Sequence, residues 1–318
     1  MNTMTFEEFV RAVKTTILDY MPKDYLDATV DITEVQKPGD ITLTGLSIRP
    51  TNTNISPTFY LNSYYNDYKN GKSIESILCE IADSPAWHND IMFDTMLDFT
   101  NYDAIKDKIV AQLINRESNE HYLSERVSVP MANTKLDTMF VIELSKDDEG
   151  IATIGVTRNL LHIWGVTVDD IIRVANENTP RLRPALYSDM MDVINVMIND
   201  SESSNSSISP DSMMVVCSNR SKVQGAIAIL YPGIADEIRN VIGDFYVLPS
   251  SVHETILVPK RTINDVNELY NMVHEVNTTQ VSPDEVLGYD VYEVINGQLV
   301  SAMHHSVNYN LNSEVAYE

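Results

Sequence analysis

Apolar and polar residues alternate with a helical period at the start of the chain and with a period of two soon after it. A helix is predicted from Thr5, which forms a T-x-x-E capping box with Glu8. Its apolar face consists of Phe6, Phe9, Val10, Val13 and Ile17. Apolar residues at every second position then predict a β-hairpin over residues 28–48, with its turn at Gly39-Asp40 and a bulge at Gly45.

Helical spacing dominates the next part of the chain. Ser56-Pro57 is typical of a helix start, and the helix predicted there carries Tyr60, Tyr64 and Tyr68 on one face. We interpret this tyrosine stripe as core packing and not as a recognition surface. Further helices are predicted over residues 73–81, 91–99 and 102–113.

Strands and helices alternate in the second half. Strands are predicted over residues 138–144, 151–157, 213–217, 245–248, 254–258, 289–295 and 298–302, the last two joined by Asn296-Gly297 in a type I′ turn. Helices are predicted from Thr167 to a stop at Asn178-Thr179-Pro180, over residues 188–197 and 266–276, and over 223–243 with a break near Pro232-Gly233.

These elements predict an α+β fold. Residues 1–120 are expected to form a helical N-terminal region with a β-hairpin. Residues 121–318 are expected to form a mixed unit of antiparallel strands covered by helices.

The net charge of the chain limits the kinds of partner that it is expected to bind. The 318 residues include 46 Asp plus Glu and 22 Lys plus Arg, a net charge of -24. This field repels phosphate backbones and anionic lipid surfaces, so neither direct nucleic-acid binding nor membrane binding is expected. A protein with a basic surface is the expected partner. Two cysteines and the absence of a signal-like apolar stretch indicate a cytoplasmic protein.

The densest group of chemically active side chains lies in residues 248–254. Ser250, Ser251, His253 and Glu254 place two hydroxyls, an imidazole and a carboxylate on one turn. A serine nucleophile needs a base within hydrogen-bond reach and a third group to orient that base. In an extended chain Ser251 and His253 share a face and Glu254 points to the other, which argues against such a relay. We therefore predict no catalytic residue here. The four residues are a candidate ligand or partner contact, and a purely structural turn that leads into a strand is the alternative.

Other motifs of known chemistry are missing from the sequence. It contains no H-E-x-x-H, no G-x-S-x-G elbow and no glycine-rich phosphate loop, so no metal and no cofactor is expected. Cys79 and Cys217 fall on apolar faces and are predicted to be buried structural thiols.

Three stretches carry a resemblance to a known family. They are residues 165–184 with Asn178-Thr179-Pro180, residues 225–232 with Leu230-Tyr231-Pro232, and residues 248–254. Together they resemble bacterial domain-of-unknown-function family 5688, which is common in anaerobic gut bacteria, and the capped first helix and residues 55–81 are similar to it as well. The resemblance implies a bacterial cytosolic setting and no catalytic role.

Three functional hypotheses follow. The first is a non-enzymatic binding or protein-interaction module with a strongly acidic surface. The second is a hydrolase that uses Ser250, Ser251, His253 and Glu254. The third is a nucleic-acid mimic whose carboxylates occupy a DNA- or RNA-binding protein. Whether the chain is an enzyme stays open, and the missing catalytic motifs favour the first hypothesis.

Overall fold

The computed structural model describes residues 3–51, 56–87, 98–147, 150–199 and 208–302. The chain forms two compact units, Met1–Asp98 and Phe99–Glu318. The sequence prediction ended the first region at residue 120. In the structure Ile109–Asn115 pairs with Leu136–Asp147, so this segment belongs with the second unit.

The first unit combines a small sheet with helices. Its strands are β1 (Thr29–Lys37), β2 (Ile41–Arg49) and β3 (Thr58–Tyr60), and its helices are α1 (Phe6–Thr16), α2 (Leu61–Lys69) and α3 (Ile74–Ala82). The strands form an antiparallel sheet in the order β1-β2-β3. Pairing of β1 with β2 continues without a shift through Thr33 and Gly45, so the predicted bulge at Gly45 is wrong. A Cβ at Gly45 would lie 2.7 Å from Cγ2 of Thr58, so a larger residue there requires this side chain to move.

The core of this unit confirms the structural interpretation of the tyrosine stripe. Thr5 and Glu8 form the predicted capping box, which starts α1. Tyr64 and Tyr68 pack against the buried cluster that includes Phe9, although α2 begins at Leu61 and so excludes Tyr60. Cys79 is exposed on α3, so its predicted burial is wrong.

The second unit begins with a four-stranded sheet. Its strands are β4 (Ile109–Asn115), β5 (Ser128–Pro130), β6 (Leu136–Asp147) and β7 (Gly150–Gly155), and the helices around them in sequence are α4 (Tyr102–Ile105), α5 (Glu120–Leu123), α6 (Arg158–Trp164) and α7 (Val168–Leu182). The long strand β6 pairs antiparallel with each of the other three strands.

A second, six-stranded sheet follows in the same unit. Its strands are β8 (Ala185–Asp189), β9 (Val215–Asn219), β10 (Phe245–Leu248), β11 (Thr255–Pro259), β12 (Tyr292–Ile295) and β13 (Gln298–Ser301), in the order β13-β12-β10-β11-β9-β8. Each neighbouring pair is antiparallel. The accompanying helices are α8 (Met190–Asn199), α9 (Ile234–Ile242) and α10 (Val266–Thr279). The predicted α+β fold is confirmed.

One predicted helix is wrong. Residues 102–113 were expected to be helical, but α4 ends at Ile105 and a strand begins at Ile109. Every residue of β4 is buried, so apolar residues occupy both of its faces. A strand that is buried on both faces lacks the alternation of apolar and polar residues. The spacing of Ile105, Ile109 and Leu113 was therefore indistinguishable from that of a helix.

Two other predicted boundaries are also corrected. Helix α7 continues through Pro180 to Leu182, because side chains there supply hydrogen bonds of their own. Asn178 Nδ2 donates to Lys106 O and Ile109 O, and Thr179 Oγ1 accepts from Ala111 N–H at 2.9 Å. In residues 223–243 the break near Pro232-Gly233 is confirmed, but the part before it is a short 3₁₀ segment, Ala226–Leu230.

The turn at Asn296-Gly297 is confirmed as type I′, since both residues have positive φ, 50° and 75°. The helix predicted over residues 91–99 lies almost entirely outside the described residues. Among the helices of the described part, none is both long enough and apolar enough to cross a membrane.

Candidate functional site

The predicted site lies on the connection between two paired strands. β10 and β11 pair antiparallel with Leu248 opposite Ile256, and residues 249–254 join them. Ser250 donates its backbone N–H to Leu248 O at 2.9 Å, and Ser251 donates its own to Glu254 O at 3.3 Å. The four predicted residues are therefore held on one tight turn that enters β11.

The imidazole of His253 is held by partners other than a serine hydroxyl. Its Nδ1 accepts a hydrogen bond from the backbone N–H of Gln224 at 3.1 Å. That bond assigns the ring proton to Nε2, which lies 3.2 Å from Oε1 of Glu285. Ser251 Oγ accepts from the backbone N–H of His253 at 3.0 Å. Both ring nitrogens are thus engaged, and this geometry does not support a serine–histidine relay.

Backbone groups of Val252 and His253 form hydrogen bonds with Ser218 of β9, with residues 225–226 and with Glu285. The carbonyl of His253 accepts from Ser218 Oγ at 2.7 Å and from Gly225 N–H at 3.0 Å. Val252 accepts from Ala226 N–H at 3.2 Å and donates to Glu285 O at 2.9 Å. These bonds satisfy buried backbone groups, so the role of Val252 and His253 here is structural.

Glu254 lines a cleft whose walls do not include His253. This cleft, called the Glu254 cleft below, has a volume of about 60 Å³ and is lined by Leu186, Ser188, Val193, Val196, Val216, Ser218, Lys222 and Glu254. Burial raises the pKa of the Glu254 carboxyl above its ordinary value of 4.5, although the charges of His253 and Lys222 partly offset this effect. A carboxyl with a shifted pKa beside apolar walls is a feature of ligand sites.

A larger cleft of about 310 Å³ lies beside Leu230-Tyr231-Pro232 and the turn at Asn296-Gly297. Its cation is Arg239, which pairs with Asp236 and with Asp244 and donates to Val294 O at 3.0 Å. The guanidinium is therefore already engaged within the protein, and this cleft offers no unpaired charge on Arg239 to a ligand.

Arg183 forms a buried polar centre that sequence reasoning missed. Its side chain is fully buried, and its Nε donates to Glu143 Oε2 at 2.7 Å. Within the described residues, Arg183 Nη1, Arg183 Nη2 and the Tyr231 hydroxyl have no hydrogen-bond partner. Burial raises the pKa of Tyr231, and the nearby charge of Arg183 lowers it in part. Nothing in the sequence around Arg183 distinguishes it from a surface arginine.

Helix α8 is apolar on two opposite faces. Val193 and Val196 line the Glu254 cleft on one face. Met191, Ile194 and Ile198 lie at i, i+3 and i+7 on the other face and are 61%, 37% and 74% exposed. We call these three residues, together with the exposed Met213, the α8 outer face. Met213 lies beside the start of this helix because Met214 O accepts from Met190 N–H at 3.0 Å.

Among the residues that the structure describes, no three His, Cys, Asp or Glu side chains form a group that could hold a metal ion.

Comparisons with known proteins give one match. Curated proteins yielded none, and solved structures yielded none. The model of one family matches residues 6–294, which cover most of each unit and include residues 248–254. The chain belongs to the family described as "Family of unknown function (DUF5688)".

Proposed function

We propose that this chain is a cytoplasmic, non-enzymatic interaction module that binds a basic, amphipathic segment of a partner protein on the α8 outer face. The observation that carries the proposal is the helix with two apolar faces. Val193 and Val196 face the sheet, whereas Met191, Ile194 and Ile198 are exposed. A helix with apolar residues on two opposite faces is typical of a position that is covered on both sides.

Charge indicates the chemistry of the partner. Carboxylates flank the α8 outer face: Asp189 precedes the helix, Asp192 lies in its first turn, and Asp211 is exposed two residues before Met213. Lys and Arg side chains can lay their alkyl stems on apolar surface while their charged ends reach such carboxylates. A helix with leucines on one face and lysines beside them fits this surface, and the net charge of -24 favours its approach.

The remaining observations agree with a binding role. Both cysteines are free, as expected for a cytoplasmic protein. The ring of His253 is engaged by Gln224 and Glu285, so the hydrolase hypothesis has no assembled base to support it. A direct contact of Ser250, Ser251 or His253 with a ligand stays a prediction.

The test uses a defined peptide. A fluorescein-labelled amphipathic Leu/Lys helix is titrated with the protein, and binding is followed by fluorescence anisotropy at low and at high salt. We expect Met191→Ser with Ile198→Ser to weaken binding at least about tenfold, because burial of such side chains contributes about 1.5–3 kcal/mol each when complete. High salt should weaken binding further.

A matched control comes from α10, where Met272 and Val276 are each 39% exposed one turn apart. Met272→Ser with Val276→Ser removes exposed apolar surface on another helix and should leave binding unchanged. Equal binding by wild type and the α8 variant would contradict the proposal. So would equal binding of a peptide whose leucines are replaced by serine, since charge alone would then suffice, as in a nucleic-acid mimic.

A further inference from the structure

We propose that the Glu254 cleft binds a small zwitterionic amino acid, with its ammonium group on Glu254 and its carboxylate on Lys222. The inference is independent of the α8 outer face, because the cleft lies on the opposite side of that helix. It assigns a ligand to Glu254, the member of the predicted site that lines this cleft.

The walls of the cleft are mainly apolar. Leu186 and Val216 come from the neighbouring strands β8 and β9, and Val193 and Val196 come from α8. Such a lining lowers the local dielectric, so each polar group that faces it interacts more strongly with a bound charge than it would in water.

Glu254 and Lys222 carry opposite charges and both line the cleft, and the charge of Lys222 partly offsets the raised pKa of Glu254. In the part of the chain that the structure describes, neither the carboxylate of Glu254 nor the ammonium of Lys222 forms a side-chain hydrogen bond or ion pair. Ser188 lines the same cleft. A carboxylate and an ammonium at one cleft complement a ligand that carries the same two charges in reverse order.

The backbone around Lys222 is held in an uncommon conformation. Lys222 and Gln224 have φ of 55° and 53°, in the left-handed region that is costly for residues other than glycine. Buried Asn219 maintains this turn: its Nδ2 donates to Val223 O at 2.8 Å, and its Oδ1 accepts from Ser221 N–H at 3.0 Å. Non-glycine strain of this kind concentrates at ligand sites, and here it presents Lys222 to the cleft.

The volume of the Glu254 cleft favours the smallest amino acids. A water molecule needs about 10–15 Å³ of such volume, so a cleft of about 60 Å³ admits about four to six non-hydrogen atoms. Glycine and alanine fall within this range. Long or aromatic amino acids do not fit unless their side chains extend into solvent.

The test is isothermal titration calorimetry of the full chain with glycine and with alanine. Methylammonium and acetate, each carrying one of the two charges, serve as comparison ligands and should bind at least about tenfold more weakly. Glu254→Gln and Lys222→Gln should each weaken glycine binding by about tenfold or more, since each removes one charge-assisted contact. Ser188→Ala should have a smaller effect.

Matched controls separate this site from other effects. Glu275→Gln makes the same chemical change at an exposed position of α10 and should leave binding unchanged. Met191→Ser with Ile198→Ser should also bind glycine as wild type does, which distinguishes this site from the proposed peptide site. Thermal unfolding of each variant checks that the fold is intact.

Two results would overturn the inference. One is no heat of binding for glycine or alanine up to millimolar concentration with folded wild-type protein. The other is binding that Glu254→Gln and Lys222→Gln leave unchanged, which would place the ligand elsewhere.

Discussion

Gly225 occupies the tightest backbone approach near the predicted site. A Cβ added there would lie 2.3 Å from Ser218 Oγ, 2.6 Å from Asn219 N and 2.7 Å from His253 O. Two of these three atoms belong to the backbone and cannot rotate away as a side chain does. Gly225→Ala must therefore move the 3₁₀ segment away from β9 and from residues 252–253.

The cost follows from two contributions. Overpacking by one methyl group in a closely packed place costs about 1–3 kcal/mol. The displacement also strains the hydrogen bonds from Gly225 N–H and from Ser218 Oγ to His253 O, each contributing about 0.5–1.5 kcal/mol. We expect a total loss of about 2–5 kcal/mol from the free energy of unfolding of the second unit.

Hydrogen exchange measured by mass spectrometry suits this prediction, because it reports on β9 and β11 separately from the first unit. A loss of 2 kcal/mol or more lowers the protection of these amides by at least about thirtyfold. Gly288→Ala is the matched control: the nearest atoms to its added Cβ are at 3.7–4.0 Å, an ordinary contact distance, so it should be nearly neutral. Equal protection in the two variants would refute the packing argument.

Three further outcomes are expected. Arg183→Met should cost about 3–5 kcal/mol because it leaves the largely buried Glu143 carboxylate unpaired, and adding Glu143→Met should recover most of that loss in urea unfolding; a double variant no more stable than the single one would argue against this. Since the folded-state pKa of Glu254 is raised, the stability that this group contributes is complete below about pH 4.5 and is lost as the pH rises. Glu254→Gln should therefore raise the melting temperature at pH 7 and leave it unchanged at pH 4. A larger rise in melting temperature at pH 4 than at pH 7 would contradict this expectation. Burial raises the pKa of Cys217 to about 12, so a thiol reagent should modify exposed Cys79 in the native protein and Cys217 only after unfolding.

Turn chemistry made part of the fold predictable from sequence. Asn296-Gly297 specifies a type I′ turn because both residues tolerate positive φ, and the structure places them there. The capping box of Thr5 and Glu8 similarly identifies the start of α1. These features depend on neighbouring residues alone, so no tertiary contact can alter them greatly.

Elements decided by distant contacts were not predictable in the same way. β4 is buried on both faces, and its partner β6 lies more than twenty residues later in the chain, so its own sequence carries no alternation. Pro180 remains inside α7 because Asn178 and Thr179 bond to residues about 70 positions earlier. For the same reason the burial of Arg183 depends on Glu143, which no local pattern connects with it.

The predicted site shows how one extended segment can serve two purposes. His253 and Glu254 lie on the connection that precedes β11, and of the two only Glu254 lines the cleft. The ring of His253 accepts a hydrogen bond from Gln224 N–H and contacts Glu285, whereas Glu254 lines the cleft.

A substitution of His253 should therefore act on glycine binding indirectly, through the turn that holds Lys222, because Gln224 belongs to that turn. His253→Asn, which can keep an acceptor for Gln224 N–H, should retain more glycine binding than His253→Ala. Equal losses in these two variants would mean that the imidazole itself, and not its bond to the turn, supports the cleft.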